Sequence, residues 1–225
     1  MRLRLVAYNV RSFRAGVEAV AGVLRPEAPD IALLQECGGP LALRRFASRL
    51  EMEVVSSHGP LSRVRNAVLY RPSWRLSGVD IRTLTREGRT LRRGFIAAHL
   101  RQEGIRLTAA SVHLGLAPRE RERHSRELMD FLGTTDGHLI LGGDLNEGPE
   151  GVAARWVADR LFDLFAEVGD GSGETFPALG PTARIDYLFA SDGIKATGAW
   201  VPAGPAVSGF SDHLPVMAEV EIEEP

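Results

Sequence analysis

Short apolar segments that end directly in acidic or amide residues recur along this 225-residue chain. Ile31 to Leu34 runs into Gln35-Glu36, and Leu139 to Leu141 runs into Gly142-Gly143-Asp144-Leu145-Asn146. Continuous apolar runs of this length are typical of strands that are buried on both faces. The pattern therefore predicts covered sheets whose strand ends carry a cluster of oxygen ligands, and the pair Asp212-His213 adds to that cluster.

The composition is that of an ordinary globular protein. The chain is 44% hydrophobic and 25% charged, with a net charge of -2, so we expect one domain over residues 1–225 with a large core. This charge balance neither requires nor excludes nucleic acid, although a protein that binds duplex backbone usually shows a basic stripe. Lys195 is the only lysine, so phosphate contacts would come from arginine, histidine, amides or a metal.

Cysteine use and hydropathy bear on location. Cys37 is the only cysteine, so no intrachain disulfide can form. No apolar run approaches the ~20 residues of a membrane span, and residues 2–10 have the pattern of a strand rather than of a signal peptide. We expect a cytoplasmic protein without membrane insertion, and the sequence gives no sign of an obligate protein partner.

Strand and helix patterns alternate along the chain. Residues 2–10 alternate with period two, and Val17 to Leu24 has helical spacing that ends before Pro26. We predict further strands at 31–34, 52–57, 65–71, 76–84, 91–100, 104–113, 138–142, 184–190, 195–201 and 215–222, and helices at 41–50, 119–132 and 150–160. Residues 102–104 read as a hairpin turn. Hairpins mixed with helical connections predict mixed sheets with helices on the outside.

Three further polar residues lie at or within strand patterns. Asn9 closes the first strand, His113 ends the strand at 104–113, and Asp186 lies inside the otherwise apolar strand at 184–190. A buried lone carboxylate is costly unless it is paired, so Asp186 needs a partner. Carboxylates and amides without a cysteine or histidine cluster favour Mg²⁺, with Mn²⁺ as a substitute, over Zn²⁺.

The spacing of Asp144 and Asn146 also carries information. In an extended segment, residues two apart project from one face, and Gly142-Gly143 would let the backbone approach a ligand closely. Taken singly, each of these residues has a simpler explanation. A glutamate at a strand end is usually a surface residue, an asparagine there is a turn former, and a histidine there is more often structural.

The order of the motifs resembles the endonuclease/exonuclease/phosphatase superfamily of metal-dependent phosphoesterases. That family includes deoxyribonuclease I, the exonuclease III-type repair nucleases and the neutral sphingomyelinases. The resemblance runs from Asn9 to Pro215. It implies an α/β four-layer sandwich, in which two mixed β-sheets pack face to face with helices on the outside. His113 occupies a place where the abasic-site enzymes commonly have a tyrosine region, so the chain departs from that branch.

The resemblance also implies roles for individual residues. The metal ligands would be Glu36, Asn9, Asp212 and Asp144, and the catalytic residues would be His213, Asp186, Asp144, Asn146 and His113. Substrate would be bound by Asn146, His113 and Asn66. Asp186 would orient His213, and either Asp144 or His213 would take the proton of the attacking water. Arg11 and Arg14 follow in the loop after Asn9 and could reach substrate phosphate, and Arg93-Gly94 matches a further family segment.

The function that the resemblance implies is Mg²⁺-dependent hydrolysis of phosphodiester bonds, with nucleic acid as the leading substrate class. An alternative is a phosphatase or phosphodiesterase that acts on a small phosphorylated metabolite or a lipid head group. A remote alternative is a non-catalytic binding module with the same fold. The chain is short for the family, so the long loops that grip DNA in larger members would be trimmed. Only Trp74, Trp156 and Trp200 offer large stacking surfaces, and their patterns place them in or near the core.

Overall fold

The computed structural model describes residues 1–57 and 64–223 of the chain. Within these ranges the strands are β1 (Arg2–Asn9), β2 (Ile31–Gln35), β3 (Glu53–Ser56), β4 (Ala67–Tyr70), β5 (Arg75–Thr83), β6 (Gly94–Gln102), β7 (Ile105–His113), β8 (His138–Asp144), β9 (Phe162–Asp163), β10 (Asp186–Ala190), β11 (Ile194–Trp200) and β12 (Val216–Ile222). The helices are α1 (Val17–Leu24), α2 (Pro40–Arg49), α3 (Pro118–Leu132), α4 (Val152–Ala158), α5 (Leu164–Val168) and α6 (Pro205–Ser208). None of these helices is long and apolar enough to cross a membrane.

The strands form two mixed sheets of six strands each. The first has the order β11-β12-β1-β2-β4-β3, and the second has the order β5-β6-β7-β8-β10-β9. Each sheet contains one parallel pair, β1 with β2 and β7 with β8. The other neighbours pair antiparallel. The mixed sheets predicted from the sequence are therefore confirmed.

Three apolar clusters hold four layers together. The central cluster fills the space between the sheets and includes Leu5, Leu33, Ile96, Ile140 and Leu188. One outer cluster packs α1 and α2 on the first sheet through Val20, Leu24, Leu43 and Phe46. The other packs α3 and α4 on the second sheet through Leu128, Leu132, Ala153 and Val157. This is the predicted four-layer sandwich with helices outside.

Most of the predicted elements are present, with shifted ends. Glu103 and Gly104 connect β6 to β7 with φ values of 49° and 83°, the left-handed geometry of a tight hairpin turn. The strand predicted at 91–100 begins at Gly94, and the strand predicted at 184–190 begins at Asp186. The short elements β9, α5 and α6 were not predicted, because segments of two to five residues carry too little periodicity to register.

The two parallel pairs bring the polar strand ends to one edge of the sandwich. Asn9 is opposite Gln35 in the first sheet, and His113 is opposite Asp144 in the second. Because parallel strands end side by side, all four residues lie at carboxyl ends of neighbouring strands. The fold therefore gathers residues from four distant parts of the sequence.

The sheets approach closely just below that edge. A Cβ placed on Gly142 would lie 2.7 Å from Cδ1 of Leu33 and 3.1 Å from Cβ of Ala7, both in the first sheet. The Gln35 amide there donates to Oγ of Ser111 at 3.0 Å, and Ser111 donates to the Leu34 carbonyl at 2.7 Å. Glycine in β8 therefore sets the spacing between the sheets, and the Gln35–Ser111 bridge fixes their relative position.

Gly142→Ala is expected to lower the free energy of unfolding by about 1–3 kcal/mol, because the added methyl group overpacks the space between the sheets. Gly22→Ala in α1 is the matched control, since no atom lies within 4 Å of the added Cβ. Alanine in a helix is favoured over glycine, so this control is expected to gain about 0.5–1 kcal/mol. Urea denaturation of both variants measures the difference, and equal stabilities would contradict the close approach.

Candidate active site

The Asp144 carboxylate at the end of β8 is the centre of the site. It is 1% exposed. Its Oδ2 accepts a hydrogen bond from Nδ2 of Asn9 at 3.0 Å and lies 3.2 Å from Nε2 of His113. Nε2 of His213 is 3.7 Å from the same oxygen. The other oxygen, Oδ1, accepts from the backbone N–H of Asn146 at 2.9 Å. One carboxylate therefore joins groups from both sheets.

The protonation of His113 follows from its other neighbour. Nη1 of Arg93 lies 2.9 Å from Nδ1 of His113. Because a guanidinium only donates, Nδ1 must accept and the ring hydrogen lies on Nε2. That hydrogen points to Asp144. Arg93 therefore fixes the tautomer with which His113 donates to the carboxylate.

His213 is held on the other side of Asp144 by a buried pair. Nδ1 of His213 lies 2.8 Å from Oδ2 of Asp186, and Thr175 donates its hydroxyl to the same oxygen at 2.6 Å. The Phe176 ring lies against the imidazole, with 4.9 Å between ring centroids. The structure thus brings His213 and Asp186 together as the sequence led us to expect, and Thr175 and Phe176 restrain them further.

The pKa values of Asp144 and His213 are shifted in opposite directions. Burial alone would raise the pKa of Asp144, but His113 and then His213 lower it well below its usual range. Burial alone would lower the pKa of His213, but Asp186 and, more weakly, Asp144 raise it to about 9. Without a metal, Asp144 is therefore a carboxylate and His213 an imidazolium at neutral pH.

Asn146 is placed differently from the sequence expectation. Strand β8 ends at Asp144, and Asn146 has a left-handed φ of 53° instead of an extended one. Asp144 and Asn146 are therefore not alternate residues of one strand. The Asn146 amide donates to the carbonyl of Leu114 at 3.1 Å, which holds the side chain beside the end of β7. The side chain remains near Asp144 because the backbone turns, and asparagine tolerates that turn better than most residues.

The predicted metal ligands are not gathered into one group in the part of the chain that the structure describes, since Glu36, Asp144 and Asp212 do not all have ligand atoms within 4.8 Å of one another. Asn9 keeps its amide on Asp144, and its Oδ1 accepts from the backbone N–H of Arg11 at 3.1 Å. Asp212 forms an ion pair with Nε of Arg11 at 3.1 Å, so Arg11 is engaged by a carboxylate. Glu36 is half-buried, and its carboxylate has no hydrogen bond or ion pair within residues 1–57 and 64–223. Glu36 is thus a carboxylate left available for a ligand.

A second set of side chains could also hold a metal ion. Ligand atoms of Asp144, Asp186 and His213 all lie within 4.8 Å of one another. Oδ1 of Asp186 is buried without a hydrogen-bond partner in the described part of the chain. In this group, His213 Nδ1 and Asp186 Oδ2 already form a hydrogen bond with each other. Asp144 belongs both to this group and to the predicted set of metal ligands.

Strained backbone concentrates at the site. Eight non-glycine residues in the described ranges have positive φ, and five of them border the site: Arg11, Ser12, Phe13, Glu36 and Asn146. The two loops support each other, because the backbone N–H of Ser12 donates to the carbonyl of Glu36 at 2.7 Å. Such conformations cost about 1–3 kcal/mol each and persist only where the surroundings enforce them. They are typical of functional loops.

A cavity of about 820 Å³ adjoins the Asp144 centre. Its lining includes Glu36, Asn66 and His113 together with several arginines. Asn66 donates its amide to the carbonyls of Gly94 at 2.8 Å and Ser111 at 3.1 Å, so both amide hydrogens are used by the protein. Asn66 therefore fastens β6 and β7 at the cavity wall, and its predicted role in substrate binding stays a prediction.

Several residues that build the site were not identified from the sequence. Gln35 is noticeable in the sequence only as the neighbour of Glu36, and no sequence pattern predicts a role for Ser111, Thr175 or Phe176. Thr175 lies in an irregular segment with no periodicity, and its importance depends on its hydrogen bond to Asp186. Arg93 carried a weak signal as part of Arg93-Gly94 at a strand start. Such residues act through long-range contacts, which a local pattern does not encode.

Comparison with known proteins gives a family match. A family model described as the Endonuclease/Exonuclease/phosphatase family matches residues 6–213. A comparison with curated proteins gives no match.

Several solved structures share the fold. The endonuclease/exonuclease/phosphatase from Bacteroides vulgatus has a TM-score of 0.83 at 16% identity, covering 99% of this chain and 100% of that chain. A mannosyl-6-phosphatase from Bacteroides thetaiotaomicron has a TM-score of 0.85 at 19% identity, with 98% and 100% covered. Truncated Caenorhabditis elegans TDP2 has a TM-score of 0.78 at 18% identity, with 98% and 97% covered. At these identities the similarity shows the fold alone.

The pKa of His213 can be measured by following its imidazole signals by NMR in metal-free protein, and we expect a value of about 9. Asp186→Asn is expected to lower it by about one to three pH units, because the neighbouring negative charge is lost. Asp80→Asn is the control, since Asp80 lies 2.9 Å from a different imidazole, His99. An unchanged His213 titration in Asp186→Asn would contradict the pairing.

The same titration predicts the pH dependence of stability. The folded-state pKa of His213, about 9, lies above the ordinary value of about 6.5. The stabilisation by the charged imidazole is therefore complete below that ordinary value and is lost as the pH rises through about 9. As the pH is raised from that ordinary value through about 9, the difference in unfolding free energy between wild type and His213→Gln should become smaller.

Proposed function

The chain belongs to the endonuclease/exonuclease/phosphatase family, and we propose that it is a Mg²⁺-dependent hydrolase of phosphodiester bonds, with nucleic acid as the leading substrate class. One observation carries the proposal. A buried carboxylate, Asp144, lies between a histidine that donates to it and a charged histidine, and the first of these, His113, also lines a cavity rich in arginine. Phosphoryl transfer needs this combination of a water-orienting carboxylate and positive groups around the phosphate.

The proposed roles of Asp144 and His213 follow from their charges. Asp144 is ionised and accepts hydrogen bonds, so it orients the attacking water and takes up its proton. His213 is charged below about pH 9, so it donates to a phosphate oxygen while Asp186 holds its orientation. The sequence left the choice between these two open. Because the raised pKa of His213 keeps it protonated at neutral pH, Asp144 is the one of the two that has a free site to accept the proton.

Asn146 keeps one amide hydrogen beyond its bond to Leu114 and would donate it to a further oxygen. His113 would first have to release Asp144 to do the same, because its N–H is used there.

The donor set fits a hard divalent cation. Glu36 is a carboxylate without a partner among the described residues, and Asn9, Asp144 and Asp212 carry further oxygens, although these side chains would have to move to share one ion with Glu36. Carboxylate and amide oxygens are the ligands that Mg²⁺ prefers, and Mn²⁺ can replace it. When bound, the cation would stabilise the charge that develops on the phosphate. Arg11 would have to yield Asp212 to the ion, or share it.

A second candidate function is a phosphatase or phosphodiesterase that acts on a small phosphorylated metabolite or a lipid head group. The cavity volume of about 820 Å³ is within the range of small-molecule pockets. The similar structure of a mannosyl-6-phosphatase also favours a small substrate. A non-catalytic module is the remote alternative, and the competent residues at each predicted position weigh against it.

Hydrolysis of bis-p-nitrophenyl phosphate and p-nitrophenyl phosphate tests the reaction class. We expect Mg²⁺- or Mn²⁺-dependent cleavage of the diester, and His213→Ala is expected to lower kcat by about 10²–10⁴-fold because the phosphate loses its charged donor. His138→Ala is the control, since His138 begins the strand that Asp144 ends, ~20 Å away. A higher rate on the monoester would favour the phosphatase instead.

Two outcomes would count against the proposal. Cleavage that persists unchanged in EDTA would remove the metal requirement. A wild-type protein that cleaves neither ester, nor DNA or RNA, while binding metal normally would favour the non-catalytic module.

The metal site can be tested without turnover. Glu36→Gln is expected to weaken Mn²⁺ binding by about tenfold or more, because a carboxylate ligand is replaced by a neutral amide. Glu51→Gln is a matched control, since Glu51 is also a glutamate with positive φ but lies after α2. Isothermal titration of both variants measures the affinities. Equal affinities would place the ion elsewhere, with Asp144, Asp186 and His213 as the next set to test.

A further inference from the structure

Six arginines line the cavity beside the Asp144 centre: Arg14, Arg65, Arg86, Arg89, Arg92 and Arg93. We propose that this arginine pocket binds further phosphate groups of the substrate, so that the enzyme prefers phosphoesters carrying more than one phosphate. The inference rests on the proposed hydrolysis at Asp144 and names the substrate class for that site.

The charge of the arginine pocket is not balanced by the protein. Glu36 is the only acidic residue among its described lining residues. None of the six arginines forms an ion pair within residues 1–57 and 64–223. Elsewhere the chain pairs its arginines readily, as in Arg184 with Asp163 at 2.6 Å. Like charges gathered in a concave space repel one another and attract anions. The uncompensated charge therefore points to an anionic ligand.

The loop that carries four of these arginines is attached to α3 by its other side. Residues 84–93 are closed by a hydrogen bond from the Leu84 N–H to the Arg93 carbonyl at 3.0 Å. The hydroxyl of Thr90 donates to Glu120 at 2.7 Å, and the backbone N–H of Thr85 donates to Glu127 at 2.9 Å.

A further contact completes the attachment, because Glu87 forms an ion pair with Arg123 of α3 at 2.8 Å. The acidic groups near the loop are thus used to hold it. Arg86, Arg89 and Arg92 are left exposed and line the cavity.

Arg93 connects the arginine pocket to the reaction centre. It lines the cavity, and its Nη1 lies 2.9 Å from Nδ1 of His113, whose Nε2 lies 3.2 Å from Asp144. Nε of Arg93 is buried and has no hydrogen-bond partner in the described ranges. A phosphate bound near Asp144 therefore has the arginine pocket as its immediate neighbour, and other phosphates of the same molecule would reach it.

The lining also indicates what the pocket does not recognise. No phenylalanine, tyrosine or tryptophan is among its described lining residues, and Val64 and Leu91 are its apolar members. Proteins that grip the bases of a single strand usually stack them on aromatic rings. We therefore infer recognition of phosphate charge and not of bases. The further phosphates belong either to a short nucleic-acid strand or to one small, multiply phosphorylated molecule.

Binding in EDTA tests the arginine pocket without turnover. The variant Arg86→Gln/Arg89→Gln/Arg92→Gln changes only exposed side chains. It is expected to bind fluorescein-labelled tetrathymidylate at least about tenfold more weakly by anisotropy. Its salt dependence, the slope of log K against log salt, should fall by about 2, since each phosphate contact to a single strand contributes about 0.7. The control Arg75→Gln/Arg101→Gln/Arg106→Gln removes the same charge at the far end of β5–β7 and should bind like wild type.

Activity separates this inference from the proposed function. Bis-p-nitrophenyl phosphate has one phosphate, so wild type and the pocket variant should cleave it with equal kcat/KM. Wild type should cleave tetrathymidylate with at least about tenfold higher kcat/KM than thymidylyl-thymidine, and the pocket variant should lose that preference. Arginine-dependent binding without any cleavage by wild type would overturn the proposed hydrolysis and leave the binding site standing.

Competition identifies the source of the phosphates. Displacement of the labelled strand by inositol hexakisphosphate at a lower concentration than by unlabelled tetrathymidylate supports the pocket with a small polyphosphorylated substrate. The reverse order supports it with a strand. The inference would be overturned if wild type and the pocket variant bound the labelled strand equally well. It would also be overturned if the control variant lost as much affinity as the pocket variant. A loss of bis-p-nitrophenyl phosphate cleavage in the pocket variant as large as its loss of tetrathymidylate cleavage would also overturn the inference, because the arginines would then bind the scissile phosphate itself.

Discussion

The arrangement of the active site depends on one buried carboxylate, Asp144, which has hydrogen-bond partners in both sheets. Asp144 ends a strand of the second sheet, yet it accepts from Asn9, which ends a strand of the first. A carboxylate at 1% exposure is tolerated only when its oxygens are satisfied, and here the partners come from Asn9, His113 and the Asn146 backbone. The charge therefore constrains the sheets to end together, and the same charge is the chemical centre of the site.

Close approach of the sheets makes that arrangement possible. Gly142 leaves no side chain between β8 and the first sheet, and the Gln35–Ser111 hydrogen bonds cross the gap just below the site. The edge itself carries the strain, since Glu36 and Asn146 both have positive φ. A rigid, well-packed base thus supports a rim of unfavourable backbone, which is the division expected where loops must hold functional groups in fixed directions.

Sequence reasoning succeeded where the signal was local and failed where it was not. The apolar runs predicted the buried strands, and the ordered motifs predicted the family and the sandwich, because both are written in consecutive residues. Asn146 was placed on an extended segment, yet it lies in a left-handed turn, because hydrogen bonds to Asp144 and Leu114 decide its conformation. Thr175 had no local signal at all, since its role exists only through Asp186, eleven positions further along the chain.

Charges of opposite sign are separated across the site. The net charge of the chain is only -2, which by itself gives no reason to expect a polyanionic ligand. The structure places six arginines without carboxylate partners, among the residues described, around one cavity, and it uses neighbouring glutamates of α3 to hold the loop that carries four of them. Negative charge is retained at Asp144, Asp212 and Glu36, which form the acidic side of the site, and Glu36 also lines the cavity. A phosphoester can satisfy both sides at once if its reacting phosphate meets the acidic side through a cation and its other phosphates meet the arginines. Global composition averages the two sides away, so substrate preference is encoded in where the charges lie and not in how many there are.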